Sequence, residues 1–219
     1  MPDVAAFDFD GTLTEGGSVL DFLTAVSGRA RVLTATGALA PGLARGALAG
    51  GTVADETKEQ LLERILAGEE ASRVEEVAER FARHHLARHL RRDVRERFDR
   101  HRQRGDRVVI VSASPEVYVR VAGQLLGAHG VVATRLAVDG HGRLTGRYHG
   151  ANCRGQEKLR RLRAWMEEDG TTPERLWAYG NSRGDLRMLD AADVGVNVGR
   201  LGRLGRLRAF GRLRDSPLG

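Results

Sequence analysis

The chain has 219 residues, 41% of them hydrophobic, and a formal net charge of +6. That is enough for one sizeable domain carrying an insertion, or for two small domains. The charge is almost wholly arginine, with lysine only at Lys58 and Lys158; it reads as the mark of a GC-rich genome, and no specific nucleic-acid partner is expected from it. The single cysteine, Cys153, excludes an intrachain disulfide.

In chain order, Val4–Phe9 reads as a buried strand that ends in two carboxylates, Asp8 and Asp10. From Ser18 to about His101 no strand pattern occurs. Ser18 is the expected N-cap of a first helix. Ala30–Ala49 is helical but interrupted by Gly and Pro. Thr52–Leu66 places Leu61, Leu62, Ile65 and Leu66 at helical spacing. Ser72–Leu90 and Arg92–Arg104 are charged and amphipathic. Asp106–Ser112 is the next buried strand, and Ser114-Pro115-Glu116 opens a helix with Ser114 as N-cap. Residues 131–149 carry a short strand and then a hairpin turning at Asp139-Gly140-His141-Gly142. A helix over Gly155–Glu168, a strand at Leu176–Tyr179, a helix over Gly184–Ala191 and a strand at Val194–Val198 complete the pattern.

Strands alternating with helices predict an α/β fold, a parallel sheet covered on both faces. The expected division is a core of residues 1–17 and 102–219, with residues 18–101 as an all-helical insertion. Gly199–Gly219 repeats Gly-Arg-Leu, and its apolar residues recur every three positions rather than at helical spacing. It reads as a loosely packed basic tail, with contact to anionic lipid or RNA as the lesser alternative. The start, Met-Pro-Asp, lacks the regions of a signal peptide. Val32–Ala44 is too short for a bilayer span. A cytoplasmic protein without stable membrane insertion is expected.

Ligands of such sheets bind outside the carboxyl ends of the strands, where the candidate groups collect. Asp8 and Asp10, two residues apart on a strand end, leave it in the same direction. Two carboxylates so close call for a cation or a shared proton. Gly11 permits a tight turn, and Thr12 and Thr14 add hydroxyls and amides. Ser112 sits where a strand feeds a helix N-terminus, which suits phosphate. Lys158 lies on the helix at 155–168, and its presence in an arginine-rich chain favours a role for a compact ammonium over a plain surface lysine. Gly180-Asn181-Ser182-Arg183-Gly184-Asp185 offers an amide and a carboxylate four residues apart. These groups suit a hard cation such as Mg²⁺ and a phosphoryl group.

Other residues invite a plainer reading. Lys58 either reaches a substrate's anionic end or, the favoured reading, is a solvated lysine. His85 and His89 have the i,i+4 spacing of zinc ligands but lack the Glu of a zincin motif, and read as a solvated helix face. Cys153 reads as an inert small residue. Glu15 reads equally as a substrate contact or a hinge-loop carboxylate.

Asp8-Phe9-Asp10-Gly11-Thr12-Leu13-Thr14, Val111-Ser112-Ala113-Ser114, Lys158 and Gly180-Asn181-Ser182-Arg183-Gly184-Asp185 resemble the four ordered motifs of the haloacid dehalogenase superfamily. The helical insertion and Asn152-Cys153-Arg154-Gly155-Gln156-Glu157-Lys158 resemble its phosphoserine-phosphatase-like branch. The resemblance implies a Rossmann-like core, a helical cap closing over the substrate, and a Mg²⁺-dependent phosphomonoesterase acting on a small organic phosphate. Asp8 would attack phosphorus and form an aspartyl-phosphate. Asp10 would protonate the leaving alcohol and then activate water. Ser112 and Lys158, with Gly11, Thr12 and Ala113 beside them, would hold the phosphoryl group. Asp8, the backbone carbonyl of Asp10, Asn181 and Asp185 would hold Mg²⁺. The chain departs from the family at Asn181, where an aspartate is usual, so weaker metal affinity with retained activity is expected. The alternatives are phosphoryl transfer to an alcohol other than water, and a basic binding protein on the same fold that has lost efficient catalysis.

Overall fold

The structure, a computed structural model, describes residues 2–49, 51–199 and 211–212. A parallel sheet forms its centre. Strand β1 (Val4–Phe7) lies between β2 (Arg107–Pro115) and β6 (Leu176–Gly180). The sheet continues through β3 (Gly130–Thr134) on one side, and through β7 (Val194–Asn197) and β8 (Gly211–Arg212) on the other, in the order β3-β2-β1-β6-β7-β8. Every adjacent pair is parallel.

The alternation of side chains along β1 explains why both faces are covered. Ala5 and Phe7 face one apolar cluster with Val108, Ile110, Trp177 and Tyr179. Val4 and Ala6 face the other with Val109, Val111, Ala178 and Leu162. The second face is covered by α8 (Gln156–Glu168) and α9 (Leu186–Ala191).

The helices between β1 and β2 are α1 (Val19–Ser27), α2 (Arg29–Ala38), α3 (Ala40–Ala49), α4 (Gly51–Leu66), α5 (Ala71–His89) and α6 (Arg92–Gln103). Leu61, Leu62, Ile65 and Leu66 of α4 are buried, as their spacing predicts. Helix α5 packs on α7 (Glu116–Leu126), the helix that follows β2. Helix α6 lies directly against β1 and β2. The hairpin of β4 (Leu136–Val138) and β5 (Leu144–Tyr148) leans on α4. There Gly146, at φ +78°, lets the hairpin approach the backbone of Glu63 more closely than a Cβ would allow.

Several local expectations change. Ser18 makes no capping bond; it is buried, and its hydroxyl shares a 2.8 Å hydrogen bond with the Tyr118 hydroxyl. Strand β2 runs on past Ser112 to Pro115 through a register shift, so Ser114 belongs to the strand and caps nothing. His85 is not solvated: only 3% of it is exposed, against Phe81 and Phe9. The Gly184–Ala191 helix begins with a 3₁₀ turn at Arg183–Asp185. The tail expectation falls largely on residues 200–210 and 213–219, outside the described residues, whereas Gly211 and Arg212 pair with Val196 and Asn197. Among the described residues no helix is long and apolar enough to cross a membrane.

A buried polar triad locks α6 to the sheet. His101 Nδ1 lies 2.7 Å from Asp106 Oδ2, and its Nε2 lies 2.8 Å from the Tyr179 hydroxyl. A carboxylate only accepts, so Nδ1 carries the proton and Nε2 accepts from Tyr179. Burial lowers the His101 pKa even though Asp106 opposes the shift, so the ring is neutral. Tyr179→Phe leaves that buried nitrogen unpaired and should cost about 1–3 kcal/mol in urea denaturation. An unchanged midpoint would contradict this pairing.

Candidate active site

The register of the sheet brings three strand ends level. Phe7 pairs with Ile110 on one side and Tyr179 on the other, and the Asp8 amide donates to the Tyr179 carbonyl at 2.9 Å. The residues that follow these positions therefore meet at one edge. A cavity of about 110 Å³ opens there, lined by Asp8, Asp10, Ser112, Ala113, Ser114, Arg154, Lys158, Ser182, Gly184 and Asp185. It has room for roughly three or four waters' worth of volume, or a small anion. A larger hollow of about 590 Å³ between β3 and α8 contains none of Asp8, Asp10, Ser112 or Lys158.

Lys158 organises the cavity. Its ammonium, 1% exposed, donates to Asp8 Oδ1 at 2.7 Å and to Asp185 Oδ1 at 2.5 Å. The other oxygen of Asp8 accepts from Thr12 Oγ1 at 2.8 Å. The other oxygen of Asp185 accepts from the Asn181 and Ser182 amides and the Ser182 hydroxyl. Burial, then the Asp185 carboxylate, push Asp8 up to about 7 against the pull of Lys158. Burial alone would lower Lys158, but Asp185 and Asp8 outweigh it and hold the ammonium charged. Burial would likewise raise Asp185, and Lys158 and Ser182 reverse that. One ammonium thus faces two buried carboxylates, an arrangement that favours a further positive charge.

Asp10 is held from two sides. Its Oδ1 accepts the Ser18 amide at 3.0 Å from the start of the insertion, and its Oδ2 accepts the Ser114 hydroxyl from the end of β2. Tyr118 stands behind both serines, its phenol pKa raised well above normal by burial and then by Asp10. Ser112 Oγ accepts the Ser114 amide at 3.0 Å.

Gly11, Thr12 and Asn181 adjoin the cavity-lining residues in sequence but do not themselves line the cavity. Gly11 has φ +77°, and a Cβ there would collide with the Asn181 amide nitrogen, so glycine is needed for both conformation and space. The Arg91 guanidinium ties the Gly11 carbonyl to that of Val198. Asn181 Oδ1 is buried with no hydrogen-bond partner among the described residues. An orphaned, uncharged oxygen beside buried carboxylates is a donor set that fits a hard cation such as Mg²⁺.

Arg154 and Ser114 also line the cavity, Lys58 and Asn152 stand beside it, and none of the four stood among the expected site residues. Lys58 is not solvated: from α4 its ammonium donates to the Ala113 carbonyl and, at 3.3 Å, to Asn152 Oδ1. Burial lowers its pKa to about 8, with Asp10 and Asp55 opposing. Asn152 Nδ2 donates to Asp55 at 2.8 Å, and Arg154 reaches the Gly51 carbonyl. Ser114 gives no signal of this place in the sequence, where its Ser-Pro-Glu setting mimics a helix start; the irregular continuation of β2 brings its hydroxyl to Asp10.

Residues 5–190 match the family model of the haloacid dehalogenase-like hydrolases. The chain is 35% identical over 192 residues to Protein CicA of Caulobacter vibrioides, covering 88% of this chain and 84% of that one. It is 32% identical over 197 residues to a phosphoserine phosphatase of Halobacterium salinarum, covering 89% and 85%. A solved phosphoserine phosphatase carrying a phospho-aspartyl intermediate analogue superposes with a TM-score of 0.64 at 21% identity, over 90% of this chain and 86% of that one. The chain belongs to the haloacid dehalogenase-like hydrolase family, in its phosphoserine-phosphatase-like branch, and it is the phosphatases among its relatives that mark it as a phosphatase.

Replacing Lys158 with Met strands two buried carboxylates without their counter-charge. Such a loss typically costs about 3–5 kcal/mol. Lys158→Met should lose that much stability in metal-free denaturant unfolding at neutral pH, and added Mg²⁺ should restore part of it. Wild-type stability in Lys158→Met would contradict the clamp.

Proposed function

We propose that this member of the family is a Mg²⁺-dependent phosphomonoesterase that cleaves a small organic phosphate through an aspartyl-phosphate on Asp8. The observation that supports it most is the Lys158 clamp: a buried lysine holds Asp8 at the open edge of the sheet, facing Ser112 across a cavity sized for a small anion.

In this reading Asp8 Oδ attacks phosphorus as the P–O bond to the alcohol breaks. Asp10, steadied by Ser114 and Ser18, gives its proton to the departing alcohol and then takes one from the water that hydrolyses the acyl phosphate. Lys158, the Ser112 hydroxyl and the amides at Gly11, Thr12 and Ala113 hold the phosphoryl oxygens. Asp8, the Asp10 carbonyl, Asn181 and Asp185 would hold Mg²⁺, which supplies positive charge where oxygen charge builds up. With a substrate dianion, Asp8 and Asp185 at about −4 and Mg²⁺ with Lys158 at about +3, the neutral Asn181 leaves the site nearly balanced.

Residues 18–101 are proposed as the cap, with the β4–β5 hairpin leaning on its helix α4 and α6 seated on the sheet. Closure of such an element excludes bulk water while the phosphoryl group passes to Asp8. Lys58, which α4 brings to the Ala113 carbonyl, would present a positive charge to the non-reacting part of the substrate. A phosphotransferase on the same site would yield a phosphorylated acceptor alongside inorganic phosphate, and a non-catalytic basic binding protein would yield neither.

The test is phosphate release from p-nitrophenyl phosphate and a panel of phosphorylated metabolites. Turnover should require Mg²⁺ and vanish in Asp8→Asn, while Asp10→Asn should lower kcat about 10²–10⁴-fold. Turnover that survives Asp8→Asn would overturn the mechanism. Asn181→Asp adds a carboxylate at an orphaned acceptor and should lower the Mg²⁺ concentration needed for half-maximal rate. An unchanged Mg²⁺ requirement would remove Asn181 from the metal site.

A further inference from the structure

Away from the cavity, α1 and α5 bring a second group of ligating side chains together. Asp21 of α1 and His85 and His89 of α5 each place one potential ligand atom within 4.8 Å of the others. The two histidines are one helical turn apart and their ring centroids are 4.7 Å apart. His85 is 97% removed from solvent, and its Nε2 has no hydrogen-bond partner among the described residues. Its ring is flanked by Phe81 and Phe9, which offer that nitrogen no donor. Burial, and then His89, keep the His85 imidazole neutral, the form that ligates metals.

We propose that Asp21, His85 and His89 form a zinc site on the insertion, separate from the Asp8–Lys158 cavity. Two imidazoles and one carboxylate match a zinc donor set, with water in the fourth position. Mg²⁺ and Ca²⁺, which prefer all-oxygen shells, match it poorly. Tetrahedral zinc with such bonds sets its ligand atoms about 3.3 Å apart. Any closing from separations of up to 4.8 Å falls to the exposed Asp21 and half-buried His89 side chains, around the buried His85.

The site lies next to a junction of the fold. The His89 carbonyl accepts the Glu15 amide at 2.8 Å, and Leu90 bridges Thr14. A bound ion would therefore join the first helix of the insertion to the end of α5 that pins the Asp10-bearing loop.

The full-length protein, stripped with a chelator, would be titrated with Zn²⁺ against a chromophoric competitor and with Co²⁺ by visible absorption. Wild type should bind one equivalent, and Asp8→Asn should bind it equally well. His89→Gln and Asp21→Asn should each weaken binding at least about tenfold, the scale seen when even an outer partner of a metal ligand is lost. Asp21 is exposed, so Asp21→Asn decides the matter should His89→Gln misfold. No stoichiometric binding, binding unchanged in Asp21→Asn, or binding abolished by Asp8→Asn would each overturn the proposal.

Discussion

The arrangement depends on one buried ammonium. Lys158 lies between Asp8 and Asp185 with almost no exposure. Each of these three charges alone would be expensive in a dry environment, and together they still leave one negative charge in excess. The clamp thereby does two things. It fixes the Asp8 carboxylate at the end of the central strand, and it leaves the cavity wanting a cation. The β6–α9 loop takes part through Asp185, which collects three bonds from Asn181 and Ser182 on its far oxygen. Three separate strand–helix units are tied together at the edge where the parallel sheet opens.

Asp10 is tied differently. Among the described residues no cation bonds to it directly; its partners are hydroxyl and amide groups from Ser114 and Ser18. One partner belongs to the sheet and the other to the first helix of the insertion. A movement of the insertion relative to the sheet would act on Asp10 and leave Asp8 undisturbed. That difference suits the tasks proposed for the two acids, Asp8 as nucleophile and Asp10 as proton carrier.

Much of this could be read from the sequence. The buried strand read at Val4–Phe9, which ends at Phe7 in the structure, the helical run to about His101 and the return of alternating strands are local patterns, and they suffice for a parallel sheet. Strand ends in such a sheet point to one edge, so Asp8, Ser112, Lys158 and Asp185 could be brought together without coordinates. What could not be read depends on partners far away in the chain. Ser114 stands in a Ser-Pro-Glu stretch that mimics a helix start, and only the irregular continuation of β2 to Pro115 turns its hydroxyl to Asp10. Lys58 looks solvated on a charged helix, yet it reaches Asn152, 94 residues on. His85 looks like part of a polar face because Phe9, far back in the chain, completes a burial that Phe81, one turn before it on α5, only begins.

The most direct test of the account is to quench the enzyme in acid during turnover of a phosphoryl-labelled substrate and locate the label. The account predicts an acid-stable, hydroxylamine-sensitive phosphoryl group on the peptide containing Asp8, formed at a rate no slower than turnover. Label on another residue, or full turnover with no covalent label at any quench time, would contradict it.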